Sequence, residues 1–343
     1  MNRWESSSLV QLTRTRFRLF LREPEAIFWT FVFPVLLAAG LGLAYRNQPP
    51  EKLPVGANSP AAVSALNADG RLKAVQLDET QGREQLSRGK VVLLAVAQGG
   101  QVAYVYDATN PDARLARIEA GEALERAAGR RDVLTSREQT VREAGARYID
   151  FVVPGLLGMN LMGSAMWGIG FSIVESRQKK LLKRMVASPM PRWQFLVSFL
   201  FSRLIMLIAE VAFFLGFARL AFGVPFRGSL LLLGGLCVLT SLTFSALGLL
   251  VATRARTMEA VSGLMNFAML PMWILSGVFF SADRFPAAVQ PVVRALPLTA
   301  AIDALRANML QGAGLGEVLL PIAILIAWCL IAFAVSLRIF RWR

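Results

Sequence analysis

The amino-acid sequence predicts an α-helical polytopic membrane protein with six transmembrane helices and a small extracytoplasmic α/β domain between helices 1 and 2. Three observations carry this reading. Six stretches are long and apolar enough to cross a bilayer, which takes about 20 residues. The 343 residues are 55% hydrophobic and only 17% charged, against about 25% charged in a soluble domain. The net charge of +14 gathers in short segments between the apolar runs, as Lys and Arg do on the cytoplasmic side of a membrane. The basicity is therefore assigned to a membrane surface, not to nucleic acid.

Residues 1–26 read as a cytoplasmic amphipathic interfacial helix. Ser6–Ser8 can cap it, Val10, Phe17 and Leu21 share a side, and Arg14, Arg18 and Arg22 form a basic strip at i, i+4 and i+8 before Pro24 ends the pattern. Residues 27–45 form the first span. Their apolar run is longer than a secretory signal core and about 25 residues precede it, so it is expected to be retained as an anchor. Residues 46–147 form the extracytoplasmic α/β domain, with 15 Lys/Arg against 13 acids. There "VVLLAVAQ" and "QVAYVYD" read as two strands joined at Gly99–Gly100, beside helices over "ETQGREQLSRGK" and, opening at Pro111, "PDARLARIEAGEALERAAGRR".

Residues 148–343 hold the remaining spans, at roughly 150–173, 194–218, 229–252, 260–280 and 315–337. With the N-terminus inside, the segments 1–26, 174–193, 253–259 and 338–343 are cytoplasmic and carry 16 Lys/Arg against five acids. Both termini are then cytoplasmic. After the fifth span, Pro286, Pro291 and Pro297 break a partly apolar stretch at about 281–307, which reads as two short re-entrant helices. Asp303 and Arg306 within it can pair locally.

The densest basic cluster, "VESRQKKLLKRMVASPMPR" at 174–192, lies between spans two and three. It has helical grammar: Leu181, Leu182, Met185 and Val186 make an apolar strip, and Pro189 and Pro191 stop it. A loop that only fixed orientation would need the charge but not the helix.

Several functions are excluded by composition. The chain has no histidine, which removes His-dependent triads, most zinc sites and imidazole relays. Cys237 and Cys329 lie in apolar runs and offer no disulfide framework or metal spacing. A membrane-anchored enzyme finds no Ser/Lys constellation or paired acids. No G-x-x-x-x-G-K-[ST] occurs, so if ATP is used, another polypeptide binds it.

Inside the spans, Glu210 is the ionisable residue of most interest, since intramembrane charge is costly. It is read either as a paired carboxylate holding helices together or as part of a polar path or proton-sensitive gate. Arg203 and Arg219 are expected to reach toward headgroups. Met159, Asn160 and Trp167 on span two, with Asn266, Met269 and Trp273 on span five, are candidates for a translocation path, because methionine and aromatic faces adapt to varied apolar ligands. Gly155, Gly158, Gly163, Gly168 and Gly170 would permit close helix approach.

In order and spacing, "YIDFVVPGLLGMNLMG" followed by "IVESRQKKLLKRMVASPMPRWQFLVSFLFSR", and later "RTMEAVSGLMNFAMLPMWILSGVFFSADRFP" followed by "LPLTAAIDALRANMLQG", resemble the ABC-2 type permease family. The resemblance covers the whole chain. It is carried by Pro154–Gly155, Glu175 and Arg177 leading to Ser188–Pro189, Ser276–Gly277, and Pro297–Leu298–Thr299 ahead of Ala304–Leu305–Arg306. One departure is visible: relatives continue the loop with glycine and threonine where this chain has Lys179, Lys180 and Leu181.

The resemblance implies a transmembrane subunit of a bacterial inner-membrane exporter, paired with a second permease copy and a cytosolic ABC ATPase that holds the ATP and Mg. This chain would then carry no cofactor. The loop would be the coupling helix, through Glu175, Ser176, Arg177, Gln178, Lys179, Lys180, Leu181, Lys183 and Arg184. Its expected cargo is lipophilic or amphipathic, and a periplasmic adaptor is a further candidate partner. Two alternatives stay open: a permease-like subunit that passes ATP-driven motion to an envelope partner without cargo, and a proton-coupled secondary transporter centred on Glu210.

Overall fold

A computed structural model describes residues 14, 17, 18, 20–44, 52–98, 101–130, 147–179, 192–255 and 257–339. The chain divides into two compact units, residues 46–140 and the combination of 1–45 with 141–343.

In the smaller unit, β1 (Leu53–Ala57), β2 (Leu72–Gln76), β3 (Leu93–Gln98) and β4 (Gln101–Tyr106) form one sheet in the order β2-β1-β3-β4. β1 runs parallel to both β2 and β3, while β3 and β4 are antiparallel, with Gln98 opposite Gln101. The expected hairpin is present, and its two turn glycines lie outside the described residues. Helices α2 (Pro60–Ala68) and α4 (Pro111–Ala127) bury Ala62, Leu66, Ala116 and Ala120 with Val55, Leu93 and Ala95. On the other face, Gly82 of α3 (Glu79–Ser87) sits directly against Leu94, where a side chain would collide. Asn110 accepts from the Asp112 amide (2.9 Å) and Pro111 takes the first helical position, which fixes where α4 begins.

Among its described residues the larger unit contains six helices long and apolar enough to cross a membrane. α1 (Pro24–Ala44) includes a π-turn at Phe28–Val32. Then follow α5 (Tyr148–Gln178), α6 (Arg192–Phe222), α7 (Leu230–Arg254), α8 (Met258–Leu275) and α11 (Leu319–Ile339). Among the earlier residues, 14, 17, 18, 20 and 21 are helical, and the helix breaks before Pro24. Arg14 and Arg18 are exposed on it. Between α8 and α11 lie a 3-10 turn (Ala282–Arg284) and two short helices, α9 (Gln290–Ala295) and α10 (Pro297–Arg306). The fifth span is shorter than its apolar run suggested: α8 stops at Leu275, and Gly277, at φ +76°, turns the chain back.

α5 is the central element. Within its most apolar stretch 83% of residues are buried, against 22% for α6 and for α8. Its neighbours come close because small residues face it. Gly248 of α7 lies against the Met166 backbone, where a Cβ would sit 2.8 Å from the carbonyl oxygen. A Cβ on Gly155 would sit 2.6 Å from the Val278 carbonyl oxygen, and one on Gly158 2.9 Å from Ile302 of α10. Gly170 meets Met265 of α8, whereas Gly168 faces open space. Lipid is as apolar as leucine, so close van der Waals approach replaces the hydrophobic drive that would join such helices in water.

This predicts that Gly248→Ala lowers stability by about 1–3 kcal/mol, the usual cost of overpacking. Gly168→Ala on α5, which points into open space, should be neutral. Retention of the monodisperse peak in size-exclusion chromatography after heating measures both.

Candidate functional site

Glu210 is 1% exposed in the middle of α6, and its buried carboxylate meets polar partners from α6 itself and from α5. Arg203, two turns earlier on the same face, places Nη1 3.7 Å from Oε2. Ser164 of α5 donates its hydroxyl to the carboxylate (2.9 Å to Oε1) and accepts from Arg203 Nη2 (2.9 Å). Arg203 Nε donates to Ser241 Oγ of α7 (3.0 Å). The arrangement is an ion pair bridged by a hydroxyl and joined to α5 and α7. Arg203 therefore turns inward to Glu210 rather than outward to headgroups, because a carboxylate two turns away on the same face offers it a stronger partner than water at the helix end. Neither serine could be singled out by composition; only the helix rotations bring them to the guanidinium.

The other path candidates do not converge on this network. Asn160 is buried and donates to the Thr30 carbonyl (3.1 Å), inside the π-turn of α1. Met159 and Met269 are buried in the common apolar core, and Trp167 and Trp273 pack half-buried against it. Asn266 points the other way, exposed near the middle of α8 beside Phe267, which is 79% exposed.

At the end of the bundle where α5 stops, Glu175 and Lys179 form an exposed i, i+4 ion pair of 2.5 Å. Its hydrogen bond holds the Lys179 ammonium above its ordinary range. Gln178 is exposed beside them. Arg177 faces inward and donates to the Ala252 (3.0 Å) and Thr253 (3.4 Å) carbonyls at the end of α7. Burial holds its guanidinium below the usual value. A cation on the last carbonyls of a helix satisfies orphan acceptors and the negative end of the dipole. The side chain of Ser176 lies outside the described residues, as do Lys180, Leu181, Lys183 and Arg184.

The opposite end carries polar anchors that sequence reasoning missed. Arg147 holds the fully buried Asp150 through Nε (2.8 Å) and Nη2 (2.7 Å), and also donates to the Phe222 carbonyl at the end of α6 (3.0 Å). That carboxylate holds the Arg147 guanidinium above its ordinary range. The available signal was an i, i+3 charge pair at a helix start. Arg306 and Asp303 do approach, at 3.8 Å, but Arg306 also donates to the Gly277 (3.0 Å) and Phe151 (3.3 Å) carbonyls and stacks 3.9 Å over the Phe151 ring. Tyr148 donates to the Phe279 carbonyl (2.9 Å). One end of α5 is thus tied to the turn after α8 and to α10. Among the described residues, no group of three or more His, Cys, Asp or Glu side chains could hold a metal ion.

Comparison with known proteins places this architecture. The family model described as "ABC-2 family transporter protein" matches residues 24–338. The chain is similar to nodulation protein J of Rhizobium leguminosarum bv. viciae, 33% identical over 105 residues, which is 31% of this chain and 40% of that protein. It is 27% identical over 166 residues to the probable multidrug ABC transporter permease YbhR of Escherichia coli (strain K12), covering 48% and 45% of the two chains. It is 26% identical over 170 residues to the inner membrane transport permease YadH of the same strain, covering 48% and 64%. Each match spans less than two thirds of the relative's own length.

Removing one member of the buried pair strands the other. Glu210→Leu or Arg203→Met alone should cost about 3–5 kcal/mol, and the double variant should recover most of that loss. Thermal unfolding of the four proteins in one detergent gives the comparison.

Proposed function

The chain belongs to the ABC-2 transporter family, and we propose that it is the membrane subunit of an ATP-driven exporter in a bacterial inner membrane. A separate cytosolic ABC ATPase would hydrolyse the ATP, and this chain would convert the stroke into helix movement. Both termini and the 174–192 segment face the cytoplasm in this reading, and the 46–147 domain lies outside. The charge distribution along the sequence supports that orientation.

The observation that carries the proposal is the end of α5. Its last turn presents the Glu175–Lys179 pair outward while Arg177, between them, is bonded to the end of α7. A push on the exposed face is therefore delivered to two spans at once. An orientation signal needs no such bond. The bound state of Glu210, shared with Arg203 and Ser164, favours a helix-fastening role over a proton relay, and so favours the ATP-driven reading over the secondary transporter.

A second permease copy would be met by α8. An exposed amide in the middle of a span is unfavourable in lipid. Small residues and amides are what helices use to associate there. Asn266 and the open Gly263 supply both on the face away from α5. The cargo is proposed to be lipophilic or amphipathic, which the naming of YbhR as a probable multidrug permease supports.

Two experiments test this. Affinity purification from the native membrane should bring down an ATPase with the wild-type chain and lose it with Glu175→Lys/Lys179→Glu. That variant keeps the i, i+4 pair and inverts the surface it presents, so unchanged recovery of the ATPase would sink the coupling role. With Cys237→Ala and Cys329→Ala in place, Asn266→Cys should give an oxidised dimer while Leu220→Cys does not. Equal cross-linking of both would remove α8 from the interface.

A further inference from the structure

Where α6 gives way to α7, the chain forms a cleft of about 250 Å³. Leu215 and Gly216 come from the last turns of α6, Val224 and Phe226 from the connection, Leu230 from the start of α7, and Met309 from the turn after α10. Arg219 is the charged residue in its wall. Leu220, Leu230 and Leu231 nearby are among the most exposed apolar residues of those described. On a membrane span, such residues face acyl chains.

The cleft is fastened from several sides. α6 ends in a left-handed cap at Gly223, φ +62°, whose amide donates to the Arg219 carbonyl (2.9 Å). Arg147 holds the Phe222 carbonyl, and the Arg227 amide donates to the Met309 carbonyl (2.9 Å). Gly228 lies so close to Asn308 that no side chain would fit between them. A pocket so braced is pre-formed, as ligand sites usually are.

We propose that this cleft is a resident site for one anionic phospholipid, with its phosphate on Arg219 and part of an acyl chain along Gly216, Leu215 and Met309. Four features select that occupant. Arg219 lies one turn from the end of a span, the depth at which an arginine meets headgroups. Its guanidinium has five donors, of which one is engaged by a long 3.4 Å bond to the Val224 carbonyl. A planar guanidinium suits phosphate oxygens. The volume falls below the roughly 300–1,000 Å³ of pockets that enclose drug-sized molecules, so it takes a length of chain and not a whole amphipathic cargo. A Cβ built on Gly216 meets nothing within 4 Å, so the α6 backbone itself is open to a chain lying there. The site stands apart from the coupling surface, at the other end of the bundle, and does not depend on the proposed transport.

Native mass spectrometry of the purified full chain, titrated with phosphatidylglycerol or phosphatidylcholine of identical acyl chains, tests the proposal. Wild type should bind phosphatidylglycerol about tenfold more tightly, the scale of one charge-assisted contact. Arg219→Gln should abolish the preference and Arg219→Lys should keep most of it. Gly216→Leu adds a side chain into open space and should weaken both lipids while leaving the preference. Equal affinity of wild type for the two lipids, or unchanged binding in both Arg219→Gln and Gly216→Leu, would overturn the assignment.

Discussion

The arrangement of the spans depends on a guanidinium that has to find its partners within the protein. Arg203, turned into the bundle, gives up the water it could reach from the helix end, and Glu210 cannot be left in mid-span without a cation. α6 buries little apolar surface, and lipid rewards it little for burying more. Its position is set by what Arg203 and Glu210 need: one serine from α5 and one from α7. The same logic repeats at both ends of the bundle. Arg177, Arg147 and Arg306 each reach a backbone carbonyl on another element, so four arginines do much of the joining that leucines would do in water.

Apolar run length made all six spans legible, because a bilayer imposes one length on every crossing. Their limits were less so. The fifth run continues through Val278–Phe280 without a change in hydropathy, and only the positive φ at Gly277 ends the helix. In the smaller unit β3 and β4 could be read from alternation. β1 and β2 could not, since Pro54 and Gly56 break the pattern of one and the outward Val75 followed by Gln76 that of the other. Parallel pairing with β3 gives β1 its place, and pairing of that kind leaves no local signal.

Of the functional candidates, those defined by their own chemistry were legible and those defined by a neighbour were not. Glu210 announces itself as a carboxylate in a span. Asn160 and Asn266 look equivalent in sequence, yet one is committed to Thr30 and the other is turned outward, a difference made by helix rotation alone. Glu175 and Arg177, two residues apart, necessarily face different directions on a helix. Sequence spacing was enough to separate them; what lay opposite each required the fold.

The seam between α5 and α7 has a mechanical consequence. It is closed by Gly248 against the Met166 backbone, by Arg203 bridging Ser164 and Ser241, and by Arg177 on the last carbonyls of α7. A pair of rods bonded along its length at three levels resists bending far more than either rod alone. Compliance in this domain must then reside in the helices that bury less of themselves, α1, α6, α8 and α11. The stiff pair sets the axis, and any change of shape is a movement of the outer helices about it.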